Sequence, residues 1–287
     1  MALVAKPGGP GGPTSHDVVD RVRRALGMAR VGHLGTLDPF AAGLLVLLVG
    51  RATRLAPFAT GWAKAYEGVI RLGTVTTTDD ATGQPIGGSD AWRTLAPAQL
   101  DAVVARFRGA YEQRPPAYSA VKVAGERAYR RARRGEAVTL APRRAEVSEL
   151  EVTHLALPDV GFRATVGAGT YLRSLARDVG EALGCGAHLA ALTRTRVGPF
   201  RLADAVAPEV VTPAALRDAA VLVTDLPRRT LDAAERAAAL HGRPVAAGAG
   251  PAPAGASRVA LFDGDELVAV AERVGELLKP RLVVAEA

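Results

Sequence analysis

The chain has 287 residues, 48% hydrophobic and 23% charged, a balance that excludes a disordered protein and allows one large domain or a large and a small one. Its formal net charge of +7 points to a polyanionic partner, most simply nucleic acid, although arginine bias from a G- and C-rich genome would give the same excess. A single cysteine, Cys185, excludes an intrachain disulfide framework and a Cys-based zinc site, and the longest apolar stretch, Ala41 to Val49, is about half of a membrane span.

MALVAKPGG carries too short an apolar run for a signal peptide, so the expectation is a soluble, cytoplasmic protein with no membrane partner. Leu3 to Ala5 reads as a short strand, and Lys6-Pro7 opens a Gly/Pro loop to Pro13. Thr14 and Asp17 form a capping-box pattern, and Val18, Val19, Val22 and Leu26 recur at helical spacing up to Gly27. The stretch Gly32 to Gly43, GHLGTLDPFAAG, reads as a polar loop carrying one carboxylate, Asp38. Pro39 disfavours helical geometry at Asp38, and the glycines permit sharp turns. Such a loop is a place to present a catalytic group, and equally a place for an aspartate that merely caps a turn.

Leu44 to Val49 is a continuous apolar run, which predicts a strand buried on both faces. A short helix over Arg51 to Ala59 and a strand over Tyr66 to Leu72 follow. Thr74 to Gly88 reads as a loop or hairpin end, with Asp79 and Asp80 as a cation-binding pair or, more commonly, solvated loop carboxylates. Pro97 to Arg108 is an amphipathic helix, and Tyr118 to Val123 is extended. Glu126 to Arg134 reads as a helix with arginines at 127, 130, 131, 133 and 134, suited to tracking phosphates or simply to facing solvent. Val147 to Leu155 and Val160 to Val166 read as paired strands.

Leu172, Leu175, Ala176, Val179 and Leu183 define a strong helix. Arg173 falls beside that stripe in the first turn, where the helix dipole does not favour a cation, so it suggests a carboxylate partner or a surface position. A further helix is expected from Thr212 to about Val223, and Asp232 with Glu235 caps another. Ala246 to Ala256 resembles a linker. Arg258 to Phe262 and Glu266 to Glu272 flank Asp263-Gly264-Asp265 as a hairpin, with a last strand beyond Lys279-Pro280. Strands and helices without regular βαβ alternation predict an α+β fold with a mixed or antiparallel sheet and a small β-rich C-terminal module packed against it.

The loop GHLGTLDPFAAG resembles the central motif of the pseudouridine synthases, most nearly the bacterial TruB family, which acts on uridine 55 in the TΨC loop of tRNA. KPGGPGGPTSHDVV, KAYEGVIRLGTVTTTDDATG, RPPAYSAVKVAGERAYRRARRGE and GTYLRSLARDVGEALG resemble further signatures of the family, in the same order. GRPV and the terminal hairpin resemble a PUA-type RNA-binding domain. Two departures stand out: the loop between Lys6-Pro7 and Thr14-Ser15 is longer than usual, and Leu34 replaces the threonine usual after the motif's histidine.

The resemblance implies a synthase domain over 1–229 and a PUA-like domain over 230–287. It implies isomerisation of uridine in the tRNA TΨC stem-loop by a monomer that needs no cofactor, no metal and no obligate protein partner. Asp38 would be the nucleophile at C1′ or at C6, and Arg173 its cation. Tyr66 would stack on the uracil and assist in removing the C5 proton. His33 would fill the space left by the flipped base, and Tyr171 and Leu192 would line the pocket. Lys6, Arg127, Arg130, Arg131 and Arg134 are the expected RNA contacts. A non-catalytic RNA-binding protein and a related synthase acting on another RNA are the competing readings.

Overall fold

The computed structural model describes residues 1–119, 121–123, 125–136, 138–247 and 257–286, with backbone alone at 122, 123, 127, 132 and 133. The chain opens with β1 (Ala2–Lys6) and α1 (Ser15–Leu26). The capping box at the start of α1 is formed by Thr14 and Asp17, and Gly27 ends the helix with φ +62°, a conformation glycine adopts without strain. Then come β2 (Val31–His33), β3 (Ala42–Val49), the short helix α2 (Ala56–Ala59) and β4 (Lys64–Leu72). A small hairpin of β5 (Val75–Thr76) and β6 (Pro85–Gly87) precedes α3 (Pro97–Ala105) and β7 (Gly109–Gln113). A second hairpin, β8 (Lys122–Val123) and β9 (Glu126–Arg127), leads into α4 (Ala128–Arg133). The next elements are β10 (Arg143–Ala156), β11 (Asp159–Val166), α5 (Leu172–Ala182), β12 (Ala187–Val197) and β13 (Phe200–Arg201).

Among the described residues these strands build a nine-stranded sheet with the main order β1-β3-β12-β4-β11-β10-β7. Its pairings are antiparallel except where β12 runs parallel to β3, at Thr193 beside Ala42 and Arg194 beside Gly43. The sheet is therefore mixed, as the α+β reading expects. β3 lies near one edge and is buried on both faces. Leu44, Val46 and Leu48 enter one core, and Leu45, Leu47 and Val49 enter another with α1. Each fully buried leucine stabilises the fold by ~1.5–3 kcal/mol, so the strand is a firm anchor for the loop before it.

The second sheet uses β14 (Arg228–Thr230), β15 (Val245–Ala246), β16 (Arg258–Asp263), β17 (Glu266–Val274) and β18 (Leu277–Val283), in the order β14-β16-β17-β18-β15, with α6 (Ala233–Leu240) beside it. Ala260, Phe262 and Val270 of this sheet share a core with Leu44 and Val46 of β3, so its inner face is closed by the main sheet.

Several local expectations change. Gly32 and His33 belong to a strand paired with β3 rather than to a loop. The helix expected from Thr212 to Val223 is two 3-10 turns, Pro213–Ala215 and Ala220–Val223. The amide of Arg217 donates to the carbonyl of Met1, and the Asp218 carboxylate accepts from the amide of Ala220, which starts a new turn. Pro280 sits inside β18 opposite Ala271, next to a register shift that relieves the missing donor. Most of the expected linker, residues 248–256, lies outside the described residues.

Candidate active site

Asp38 lies on the loop between β2 and β3, and the loop is fastened from several sides. The amide of Leu37 donates to Ser15 Oγ at 2.8 Å, and that hydroxyl donates to the carbonyl of Leu37 at 3.0 Å. The amide of Ala41 donates to the carbonyl of Asp38 at 3.1 Å and closes a turn around Pro39. Lys6 Nζ donates to the carbonyls of Pro7, Pro39 and Ala41 at 3.0, 2.9 and 2.6 Å. These three acceptors use all three of its protons, and the residue is buried. Lys6, expected as an RNA contact, thus grips the loop backbone with all three protons in this structure. Burial lowers its pKa to about 8, against the raising influence of Asp38.

Arg173, in the first turn of α5, meets Asp38 in a two-pronged pair. Its Nε is 2.9 Å from Oδ2, and its Nη2 donates to Oδ1 at 3.1 Å. The guanidinium also donates to the carbonyls of Thr78 and Tyr118, at 3.1 and 2.8 Å. Side-chain exposure is 6% for Arg173 and 34% for Asp38, so the cation is enclosed while part of the carboxylate remains open. The pKa of Asp38 is raised: burial is the main cause, with Arg173 opposing it, Asp80 adding to it and Lys6 opposing it.

The tether of α5 is as specific. Gln113 of β7 accepts from the amide of Tyr171 at 2.9 Å and donates to its carbonyl at 3.1 Å. Ser174 Oγ donates to the carbonyl of Arg114 at 2.8 Å. The helix start is therefore pinned to the sheet edge, which fixes where Arg173 emerges.

Asp79 and Asp80 are not the solvated loop carboxylates their neighbours suggest. Asp80 is buried, with Oδ1 accepting from Thr78 Oγ1, Thr82 N and Thr82 Oγ1 at 2.7, 2.9 and 2.6 Å. Its Oδ2 lies 3.7 Å from Arg173 Nη1. Asp79 pairs with Arg177 Nη1 at 3.0 Å. The loop TTTDDATG folds back over the helix start with Thr78 and Thr82 supplying donors to Asp80 and with Arg177 pairing Asp79.

Tyr66 and Leu192 fall in one apolar cluster with Leu37 and Phe40, which flank Asp38, and with Leu172 beside Arg173. Tyr171 packs against Val121, Ala128 and Leu140, and burial raises its pKa. His33 is half-buried at the end of β2, and its Nδ1 has no hydrogen-bond partner among the described residues. Burial lowers its pKa, and Arg194 adds to that shift.

The arginine segment is different in kind. Arg134 pairs with Glu126 and Glu136 at 2.7 Å, and Arg131 pairs with Glu136 at 2.7 Å. Arg130 is exposed. The side chain of Arg127 lies outside the described residues.

Sequence reasoning passed over Asp80, Gln113 and Arg194. Arg194 is fully buried in β12 and reaches the Asp38 loop. Period-two alternation in LAALTRTRV puts Arg194 on the same face as Leu192, a signal that could have marked it.

Comparison with known proteins places the chain in a family. Residues 23–172 match the model of the TruB family pseudouridylate synthase N-terminal domain, and residues 173–238 match the tRNA pseudouridylate synthase B C-terminal domain. The chain is 44% identical to a Thermobifida fusca protein named tRNA pseudouridine synthase B, across 96% of both chains. It is 44% identical to one of that name from Mycobacterium sp. strain KMS, across 90% of this chain and 91% of the relative. Among solved structures, it is similar to a chain of the Cbf5-Nop10-Gar1 complex, with TM-score 0.71, 27% identity and coverage of 99% of this chain and 85% of that one.

Proposed function

Because this chain belongs to the TruB family of pseudouridylate synthases, and is an isomerase, we propose that it converts uridine 55 of the tRNA TΨC loop to pseudouridine with Asp38 as nucleophile. The name shared by its relatives, tRNA pseudouridine synthase B, supports tRNA as the substrate. The observation that carries the residue assignment is the Asp38–Arg173 pair, one partner enclosed and the other still open to a ligand.

The reaction breaks the bond from N1 of uracil to C1′ of ribose, turns the base and joins C5 to C1′, after which C5 loses its proton and N1 takes one up. Nothing is oxidised or reduced. Asp38 adds to C1′ or to C6 and leaves once the new bond is made. Arg173 keeps it ionised against the penalty of burial. Tyr66 and Leu192 enclose the base from the cluster beside Asp38, and Tyr66 assists removal of the C5 proton. A uridine in a folded loop must leave its stack to be reached. His33 fills the vacated space, and Tyr171 borders the pocket. Arg127, Arg130, Arg131 and Arg134 follow phosphates, which take the place of Glu126 and Glu136 as partners. Residues 230–287 act as a PUA-like RNA-binding domain beside a catalytic domain over 1–229. The protein works as a cytoplasmic monomer.

Purified protein and an unmodified tRNA transcript test this reading. The expected result is pseudouridine at position 55 alone. No product, or product only at another position or in another RNA, would overturn it.

A further inference from the structure

Arg194 is fully buried, yet no carboxylate lies within ion-pair distance of it among the described residues. An isolated buried cation is costly unless its donors are matched. Its partners are backbone carbonyls: Nε donates to Leu44 at 2.8 Å, Nη2 to Gly35 at 3.0 Å and Nη1 to Thr36 at 3.4 Å. These acceptors stand on both sides of Asp38 in the chain. The Leu44 bond would suffice to fasten β12 to β3. The Gly35 and Thr36 bonds do something else, because they reach past the strand into the loop.

The sheet explains how one side chain spans that distance. Arg194 sits between Gly43 of β3 and Tyr66 of β4, paired with both. A Cβ on Gly43 would stand 2.3 Å from the carbonyl oxygen of Arg194, so only glycine allows this approach. Gly35 is favoured for a different reason, its φ of +87°, and it lies against the same guanidinium: a Cβ there would stand 3.5 Å from Arg194 Nη1 and 3.2 Å from Lys64 Cε. With Lys6 holding Pro39 and Ala41, the loop carbonyls are gripped from two directions.

We propose that Arg194 is a positioning residue, which sets the nucleophile by tying the loop carbonyls of Gly35 and Thr36, just before Asp38, to the carbonyl of Leu44 in β3. It touches no substrate. This role rests on Asp38 being the nucleophile.

Arg194→Lys keeps the charge but cannot reproduce the three-way fork. A displacement of the reacting group by about 1 Å costs on the order of 100-fold in rate. Single-turnover conversion of unmodified tRNA by Arg194→Lys is expected to slow by ~10- to 100-fold, with full amplitude and with the Kd for tRNA within about two-fold of the parent. A residue that only supports the fold would instead lower the amplitude, the active fraction, and leave the rate constant of the remainder unchanged. That outcome, or an unchanged rate, overturns the proposal. Asp38→Asn is run beside it. If Asp38→Asn still turns over, the assignment of the nucleophile fails; if it is dead while Arg194→Lys keeps its rate, the clasp alone fails. Should Arg194→Lys not fold, 15N NMR of the unaltered protein decides: the Arg194 Nη protons that donate to Gly35 and Thr36 must exchange slowly with solvent, and fast exchange overturns the clasp.

Discussion

The two arginine-rich regions of this molecule use the same side chain in opposite ways. Around Asp38, Arg173 and Arg194 are buried, and their donors end largely on backbone carbonyls of distant segments. On α4 and just after it, Arg131 and Arg134 lie near the surface and pair with Glu126 and Glu136. A buried guanidinium is held by every donor it must satisfy, so it can define geometry to a fraction of an ångström. A surface pair is worth little and exchanges readily, so it can trade a glutamate for a phosphate. Net charge alone does not separate these uses, although one suits precision and the other suits recruitment.

Four experiments press on that contrast. The largest effect is expected from Asp38→Asn, which should abolish product formation while tRNA binding stays near the parent value, since the side chains are nearly isosteric. Any sustained turnover by the purified variant removes Asp38 from its role. Next is Arg173→Gln, which deletes the enclosed cation. Loss of a preorganised electrostatic partner costs on the order of 100- to 1,000-fold in kcat. The acid limb of the kcat–pH profile should also move upward, because Arg173 opposes the raised pKa of Asp38. In the parent that limb should already lie above the ordinary aspartate value, with activity lost as pH falls through it and the carboxylate protonates. A limb at or below that value would contradict an interior Asp38.

Lys6→Met should give a smaller, directional effect. With its folded pKa lowered from 10.5 to about 8, Lys6 binds its proton less well folded than unfolded. Parent stability should therefore rise between about pH 8 and 10.5 through this group, and be flat in its contribution below that window. Denaturant titrations of parent and Lys6→Met across that range should diverge by this slope. Parallel curves would place Lys6 in water rather than under the loop. The smallest effect belongs to the surface: Arg130→Ala should weaken tRNA binding and reduce the salt slope of log K by roughly 1. An unchanged slope would take α4 out of the interface.

Much of the architecture was legible because local patterns agreed with the fold. The unbroken apolar run of β3, the caps of α1 and α6 and the stripe of α5 each point to one structure. Asp38 and Arg173 were legible through motif resemblance, and the resemblance also marked Tyr66 and Leu192. The grip of Lys6 on the loop was not legible, since its acceptors are carbonyls 33 and 35 residues away. Asp80 was underestimated for the same reason, because its distance to Arg173 is set by the folding back of a hairpin. The helix expected over Thr212 to Val223 failed where the Arg217 amide found a better acceptor at Met1.

The order of amino acids by itself determined the elements and their buried faces, which depend on periodicity and caps acting over a few residues, while the facing of Asp38 and Arg173 was implied by family resemblance alone. Which cations are sealed inside, which glycines must stay bare and what Arg194 holds were decided only when β12 came to lie between β3 and β4. Burial and donor matching belong to neighbours brought from more than a hundred positions away, and no local pattern carries them.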